Sequence, residues 1–340
     1  MKKKLLLLTL CVTMALSLVA CTSSSSDSKD KATSNKETAK DDDASENTYK
    51  IGICQLVQHE ALDAATKGFE DALKEKLGDR VTFDEQNAQG DSATCSTIVN
   101  SFVSDGVDLI LANATAPLQT AAAATSDIPI LGTSITDYAT ALDIKDWKGV
   151  TGKNISGTSD LAPLSDQAQM LKELFPDAKN VGLLYCSAEA NSEYQVEVIT
   201  KELEDLGYKC QPYSFTDSND IATVAKNAVD SSDVIYIPTD NTAASNTQVI
   251  NNIAQEAKVP IIAGEEGICK GCGIATLSIS YYDLGYQTGI MAYDVLENNE
   301  DVSKMEVQTA SEVTKEYNPD IAKTLGIDIP DEYKALDMSE

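Results

Sequence analysis

The sequence holds one histidine, His59, one tryptophan, Trp147, and five phenylalanines among 340 residues. With no second histidine, a His-rich metal site or a Ser-His-Asp triad has no material. No nucleophile elbow, Walker loop or dinucleotide fingerprint is present, so nothing points to an enzyme or to a bound cofactor. Basic residues are outnumbered, 26 Lys and Arg against 54 Asp and Glu, for a formal charge of −28. An acidic surface of this kind excludes nucleic acid, which binds basic patches, and adhesion to anionic lipid. Long apolar runs are missing too, except at the start. There Lys2, Lys3 and Lys4 precede an apolar stretch, Leu5 to Val19, shorter than the about 20 residues of a membrane span.

That start has the shape of a secretory signal over residues 1–20. It ends in Leu18-Val19-Ala20-Cys21, which resembles the lipobox of bacterial lipoproteins. The resemblance implies that Cys21 is acylated, becomes the mature N-terminus and anchors the protein on the outer side of the cell membrane. Loss of the three lysines takes the charge of −28 to −31. Residues 21–48 then run through Ser, Asp, Lys and Thr with almost no large apolar side chain. Such a segment cannot bury enough surface to offset its chain entropy and reads as a disordered leash.

Eight cysteines are present, of which Cys11 lies in the signal and Cys21 at the anchor. Of the remaining six, Cys54, Cys186 and Cys210 fall in strand-like runs. Cys186 ends one strand and Cys210 begins the next parallel one, which places them at opposite sheet edges, out of bonding range. Cys269-Lys-Gly-Cys272 has a metal or redox spacing, but no second Cys pair or His cluster accompanies it. It reads as a local disulfide or two free thiols, with no metal.

From Tyr49 onward, strand-like runs alternate with helical ones, the pattern of an α/β fold with parallel sheets. Strands are expected at 50–54, 81–85, 107–112 and 128–132, and again at 181–186, 209–215, 233–238 and 259–264. The two sets repeat in detail: Lys50-Ile-Gly-Ile-Cys54 matches Asn180-Val-Gly-Leu-Leu184, and Asp127-Ile-Pro-Ile-Leu-Gly132 matches Lys258-Val-Pro-Ile-Ile-Ala-Gly264. An offset of that length means two similar Rossmann-like lobes rather than a solenoid. Lobe 1 is expected over 49–153 plus 281–312, lobe 2 over 154–280 plus 313–340, joined by a three-strand hinge. Gly285, Gly289 and Ala292, at helical spacing, predict close helix packing.

Open parallel sheets bind ligands beyond the carboxyl ends of their strands, so two facing lobes share a cleft. The loops that line it are 55–60, 113–117, 133–138, 187–192, 239–242 and 265–267. Thr115-Ala116-Pro117 reads as a helix start with Thr115 as N-cap, whose free N–H groups suit a carboxylate. Asp240-Asn-Thr242 is a matching start that repels an anion and welcomes an ammonium. Asp137, Asp160, Glu189, Asp240 and Glu265 are all expected to approach the cleft. Acids concentrated in a low-dielectric site need a cation or amine to offset them, which favours a zwitterion and leaves a polyol open.

At these loops the chain resembles the ABC-transporter substrate-binding lipoproteins of the tryptophan/tyrosine type, which have the type 1 periplasmic-binding-protein fold. The segments that carry the likeness are Ile51-Gly-Ile-Cys-Gln55, Gln58-His59-Glu-Ala-Leu62-Asp63, Asn87-Ala-Gln-Gly-Asp91, Asn154-Ile-Ser-Gly157-Thr-Ser-Asp160, Glu189-Ala-Asn191-Ser192 and Pro238-Thr-Asp240-Asn241. The chain departs from the family pattern at Thr115-Ala-Pro117 and at Ile135-Thr-Asp137-Tyr138, both beside the expected ligand. The resemblance implies closure over an amino acid and its delivery to a permease driven by an ATPase; no sequence feature points to an obligate oligomer, so a monomer is expected. Together, residues and resemblance set the expected contacts. Thr115, Ala116 and Thr136 take the carboxylate; Asp160, Glu189 and Asp240 take the ammonium, with Asp137, Asn191, Ser192 and Glu265 beside them. Gln58, His59, Leu62, Tyr185 and Tyr281 surround the side chain. The alternatives are the same fold holding a nucleoside or sugar, or a surface sensor that uses the cleft as a switch.

Overall fold

A computed structural model of the protein describes residues 47–310 and 312–338. The signal, Cys21 and the linker up to residue 46 lie outside the described residues. The first lobe alternates strand and helix: β1 (Tyr49–Gln55), α1 (Glu60–Leu77), β2 (Val81–Asn87), α2 (Ser92–Asp105), β3 (Leu109–Asn113), α3 (Thr115–Ala124), β4 (Ile130–Ile135), α4 (Tyr138–Ala141) and β5 (Ile155–Ser159). The second lobe repeats the scheme with α5 (Leu164–Leu174), β6 (Asn180–Cys186), α6 (Ala190–Asp205), β7 (Lys209–Phe215), α7 (Ile221–Val229), β8 (Val234–Ile237), α8 (Asn241–Ala244), α9 (Thr247–Ala257), β9 (Ile261–Ala263), α10 (Glu266–Gly271) and β10 (Ala275–Ser278). The chain then returns through α11 (Tyr281–Glu297) and β11 (Gln308–Thr309) to the first lobe. It ends in the second with β12 (Thr314–Tyr317), α12 (Pro319–Leu325) and β13 (Lys334–Ala335).

The first sheet has six parallel strands in the order β11-β5-β4-β3-β1-β2, and the second has seven strands in the order β13-β12-β10-β9-β8-β6-β7. In the second sheet β12 pairs antiparallel with β10 and β13 runs parallel to β12, so these two oppose the other five. In each sheet the first strand of the repeat sits inside and the second at the edge, with Ile53 opposite Leu111 and Leu183 opposite Tyr236. Most inner strands are rich in apolar residues, as strands covered by helices on both faces are; β3 and β8 are buried end to end.

Three crossovers join the lobes, after β5, after β10 and between β11 and β12. This is the two-lobed, hinged α/β architecture expected from the sequence, with one boundary corrected. Residues 155–159 were assigned to lobe 2, yet β5 pairs with β4 and completes the first sheet. Its sequence, Ile-Ser-Gly-Thr-Ser, lacks an apolar run and reads as a loop. Side-chain bonds compensate: Ser156 Oγ donates to Met305 O at 3.0 Å, and the Thr158 and Thr288 hydroxyls are 2.9 Å apart.

Helix α11 packs on α1 at a distance only small residues allow. A Cβ on Gly285 would lie 1.9 Å from Ala65 O, and one on Gly68 would lie 2.1 Å from Tyr282 O. The small-residue stripe is therefore a packing device. It fixes the start of α1, and with it His59, against the second crossover.

Candidate ligand-binding cleft

The cleft is built from strand ends of both lobes and is closed. His59, the residue before α1, meets Asn241 of α8 across it, Nε2 to Oδ1 at 3.2 Å. Lys270 of α10 pairs with Glu60 of α1 across the same gap and with Glu266 of its own helix at 3.0 Å. An inner cavity is lined by His59, Leu62, Ser134, Thr136, Asp160, Asn191, Thr239, Asp240, Asn241, Ala244, Glu265 and Tyr281. A neighbouring one shares Asn191 and adds Thr115, Asp137, Thr140, Ala190 and Tyr194.

Three carboxyl groups face the inner cavity, each at most 3% exposed. Asp160 directly follows β5 of the first lobe and accepts from Thr136 Oγ1 at 3.2 Å and Tyr281 Oη at 2.9 Å. Asp240 is the N-cap of α8, accepting from the N–H of Ala243 at 2.8 Å and of Cys186 at 2.6 Å. Glu265 caps α10 through the N–H groups of Gly267, at 2.7 Å, and Ile268. Burial penalises the charged form of all three. It pushes Asp160 up to about 6 and Glu265 up to about 7, and lifts Asp240 well above the carboxylate range, aided by the nearby Glu189. Among the described residues no Lys or Arg lines the inner cavity, so these acids have no fixed cation beside them to hold them charged.

Two further polar atoms there, His59 Nδ1 and Ser134 Oγ, are sealed from solvent and have no hydrogen-bond partner among the described residues. Ser134 also has left-handed backbone, φ 57°, and Ala114, just before α3, has φ 95°. Non-glycine residues avoid this region, and such strain collects where a site dictates the backbone.

Of the residues expected at the site, His59, Leu62, Thr136, Asp160, Asn191, Asp240 and Glu265 line the inner cavity, and Thr115 and Asp137 the neighbouring one. Gln58 lies further out, in an open cavity of about 410 Å³ with Lys270. Ser192 is fully buried in α6 and supports Asp240 from behind. Glu189 lines neither cavity. It holds the start of α8 instead, accepting from the N–H groups of Asn241 and Thr242, at 3.0 and 2.8 Å, and from Asn241 Nδ2 and Thr242 Oγ1, both at 2.7 Å. Ala116 and Tyr185 pack against the two lobe cores. Thr115 is the first residue of α3 rather than its cap, because the strained Ala114 holds the N-cap position and contributes no side-chain bond.

The sequence reading missed Ser134, Tyr194 and Ala244. Tyr194 stands one turn after Asn191 on α6, so the i,i+3 rule could have found it. The left-handed turn at Ser134 leaves no such trace. Trp147 stacks on Tyr138, with ring centroids 6.4 Å apart. Among the described residues no cluster of three or more His, Cys, Asp or Glu side chains is placed to hold a metal ion, and the six cysteines are free thiols. Among them also, no helix is long and apolar enough to cross a membrane.

Two hinged lobes closing over a buried polar cavity define a type 1 periplasmic binding protein. A family model of ABC transporter substrate binding proteins matches residues 50–338, and the chain belongs to that family. Its members are extracytoplasmic, non-enzymatic binding proteins that work with ABC transporter components.

The chain is 37% identical over 327 residues to a tyrosine-binding protein of Clostridioides difficile (strain R20291), covering 95% of this chain and 92% of the relative. Among solved structures, an ABC domain from Streptococcus pneumoniae in complex with L-Trp superposes with a TM-score of 0.81 at 34% identity, over 85% of this chain and 99% of that one. The ligand-free, open structure of a Clostridium difficile substrate-binding protein with adhesive properties covers the same shares. Its identity is higher, 39%, but its TM-score is only 0.65. The better fit to the ligand-bound relative agrees with the cross-cleft contacts of His59 and Lys270.

Proposed function

We propose that this protein is the lipid-anchored receptor of an ABC importer, and that its interlobe cleft captures an aromatic amino acid of the tyrosine or tryptophan class. The observation that carries the ligand assignment is the set of three buried acids, Asp160, Asp240 and Glu265, around one closed cavity. An ammonium placed among them offsets their desolvation. The start of α3 at Thr115, in the neighbouring cavity, offers the positive end of a helix to a carboxylate. The two cavities adjoin at Asn191, so one zwitterion can reach both. Leu62, Ala244 and Tyr281 supply apolar surface for a ring. The tyrosine-binding and L-Trp-bound relatives support the same class. In this reading Cys21 carries the lipid and residues 22–48 form the leash, and a permease with its ATPase receives the ligand.

A thermal-shift panel of amino acids, nucleosides and sugars tests the ligand class. A ligand present at 100 times its dissociation constant adds about 2.7 kcal/mol to the folded state. Tyrosine or tryptophan should raise Tm, and loss of the α-amino group should abolish the shift. A shift with nucleosides or sugars alone would overturn the ligand assignment. Incorporation of labelled fatty acid, lost in Cys21→Ser, tests the anchor. Labelled ligand uptake by cells with and without the protein tests the importer role.

A further inference from the structure

His59 is the only histidine in the chain, and the second lobe fixes its tautomer. Asn241 Nδ2 donates to Glu189 Oε2 at 2.7 Å. The reverse orientation of that amide would set its oxygen against a carboxylate, acceptor against acceptor. The amide oxygen of Asn241 therefore faces His59 Nε2, at 3.2 Å. An amide oxygen only accepts, so Nε2 carries the proton and Nδ1 is left as a bare lone pair. That lone pair is sealed from water and unpartnered among the described residues, and its ring lines the inner cavity. Burial holds the imidazole below its ordinary pKa, which keeps it neutral and Nδ1 an acceptor.

We infer that His59 Nδ1 accepts a hydrogen bond from the ligand's side chain, a phenolic O–H or an indole N–H, and so selects donor-bearing aromatic amino acids over phenylalanine. This rests on the aromatic amino acid reading above. The α-ammonium is not the donor, because Asp160, Asp240 and Glu265 share the cavity and charged acceptors outcompete a neutral imidazole for a cation. A phenyl ring would leave Nδ1 buried without a partner. Sites built around a ligand hydrogen bond reject the analogue that lacks it far more strongly than apolar pockets reject a lost methylene.

The test is calorimetric titration of the full-length protein with L-tyrosine, L-tryptophan and L-phenylalanine, as wild type and as His59→Leu. Wild type should bind tyrosine or tryptophan at least roughly ten-fold more tightly than phenylalanine. In His59→Leu that ratio should fall to about two-fold or less, even though the lost Asn241 contact weakens all three ligands together. With one histidine, ¹⁵N NMR of the labelled wild type reads the tautomer directly. Nδ1 should resonate as the unprotonated nitrogen and shift on adding the preferred ligand but not phenylalanine. Equal affinities in wild type, a preference that survives His59→Leu, or an Nδ1–H tautomer would each overturn the inference. If none of the three ligands binds, the aromatic amino acid reading itself fails, and this inference with it.

Discussion

Tyr281 Oη donates to Asp160 Oδ2 at 2.9 Å, and this bond ties the first crossover between the lobes to the second. Asp160 leaves β5 for the second lobe, and Tyr281 opens α11 on the way back. The pair therefore sits where lobe closure is hinged and also faces the inner cavity.

Tyr281→Phe removes a hydrogen bond to a buried acid. At pH 8, where Asp160 is ionised, the loss should cost about 1.5–3 kcal/mol of unfolding free energy. At pH 5, where Asp160 is largely protonated, the cost should shrink. Urea denaturation of both proteins at the two pH values checks this. An equal cost at both would show that the Asp160 charge is not what Tyr281 stabilises.

The raised carboxyl groups set the pH dependence of the ligand-free protein. Asp160, Asp240 and Glu265 all bind protons more tightly folded than unfolded. Their contribution is fully present below the unfolded value of about 4 and is lost as pH rises through 6 and above. His59, depressed by burial, pulls the other way below about 6.5, one group against three. Tm should therefore rise as pH falls from 8 to 5. Affinity for an amine ligand should move oppositely, because protonated acids cannot offset an ammonium. Titration across this range should show binding weakening below about pH 7, with protons released on binding.

Asp240→Ala should act on stability and binding together. Loss of the α8 cap costs about 1 kcal/mol, and the buried N–H of Cys186, left without its acceptor, about 1–3 kcal/mol more. Binding should fall by at least roughly a hundred-fold, since a buried ammonium loses its partner. A destabilised variant with unchanged affinity would reduce Asp240 to a helix cap.

Lys270 holds the closed form without lining the inner cavity. Lys270→Met removes its pairs to Glu60 and Glu266 and should weaken binding a few-fold, mostly through a faster off-rate. Stopped-flow release in low and high salt checks this. Wild type should lose affinity in salt and the variant should not.

Gly285→Ala tests the α1–α11 contact. The new methyl would meet Ala65 O at 1.9 Å, and the helices must separate. A loss of at least about 2–3 kcal/mol is expected, read from thermal unfolding.

The four strands of each repeat, β1–β4 and β6–β9, were legible, the inner ones through their apolar runs and the edge strand β7 with its observed bounds, 209–215; β10, β12 and β13 were not expected. β5 was not, since Ser156 and Thr158 are buried through hydroxyl bonds that carry no hydrophobic signal. At the site, strand ends located the loops, and Asp160 and Asp240 followed from charge in a cleft. Which way a loop side chain turns was not legible. Glu189 and Asp240 are both acidic loop residues, yet the first turns onto α8 and the second faces the cavity. Ser134 depended on a left-handed backbone dictated by its surroundings rather than by its own residue type.

The most direct test of the account is a calorimetric comparison of L-tyrosine with tyramine and 3-(4-hydroxyphenyl)propionate on the wild-type protein at pH 8. The account predicts one saturable site for L-tyrosine. Removing either charged group should weaken binding by at least roughly a hundred-fold, because each leaves a buried partner unpaired. Equal binding of all three, or heat from sugars and nucleosides with none from aromatic amino acids, would contradict it.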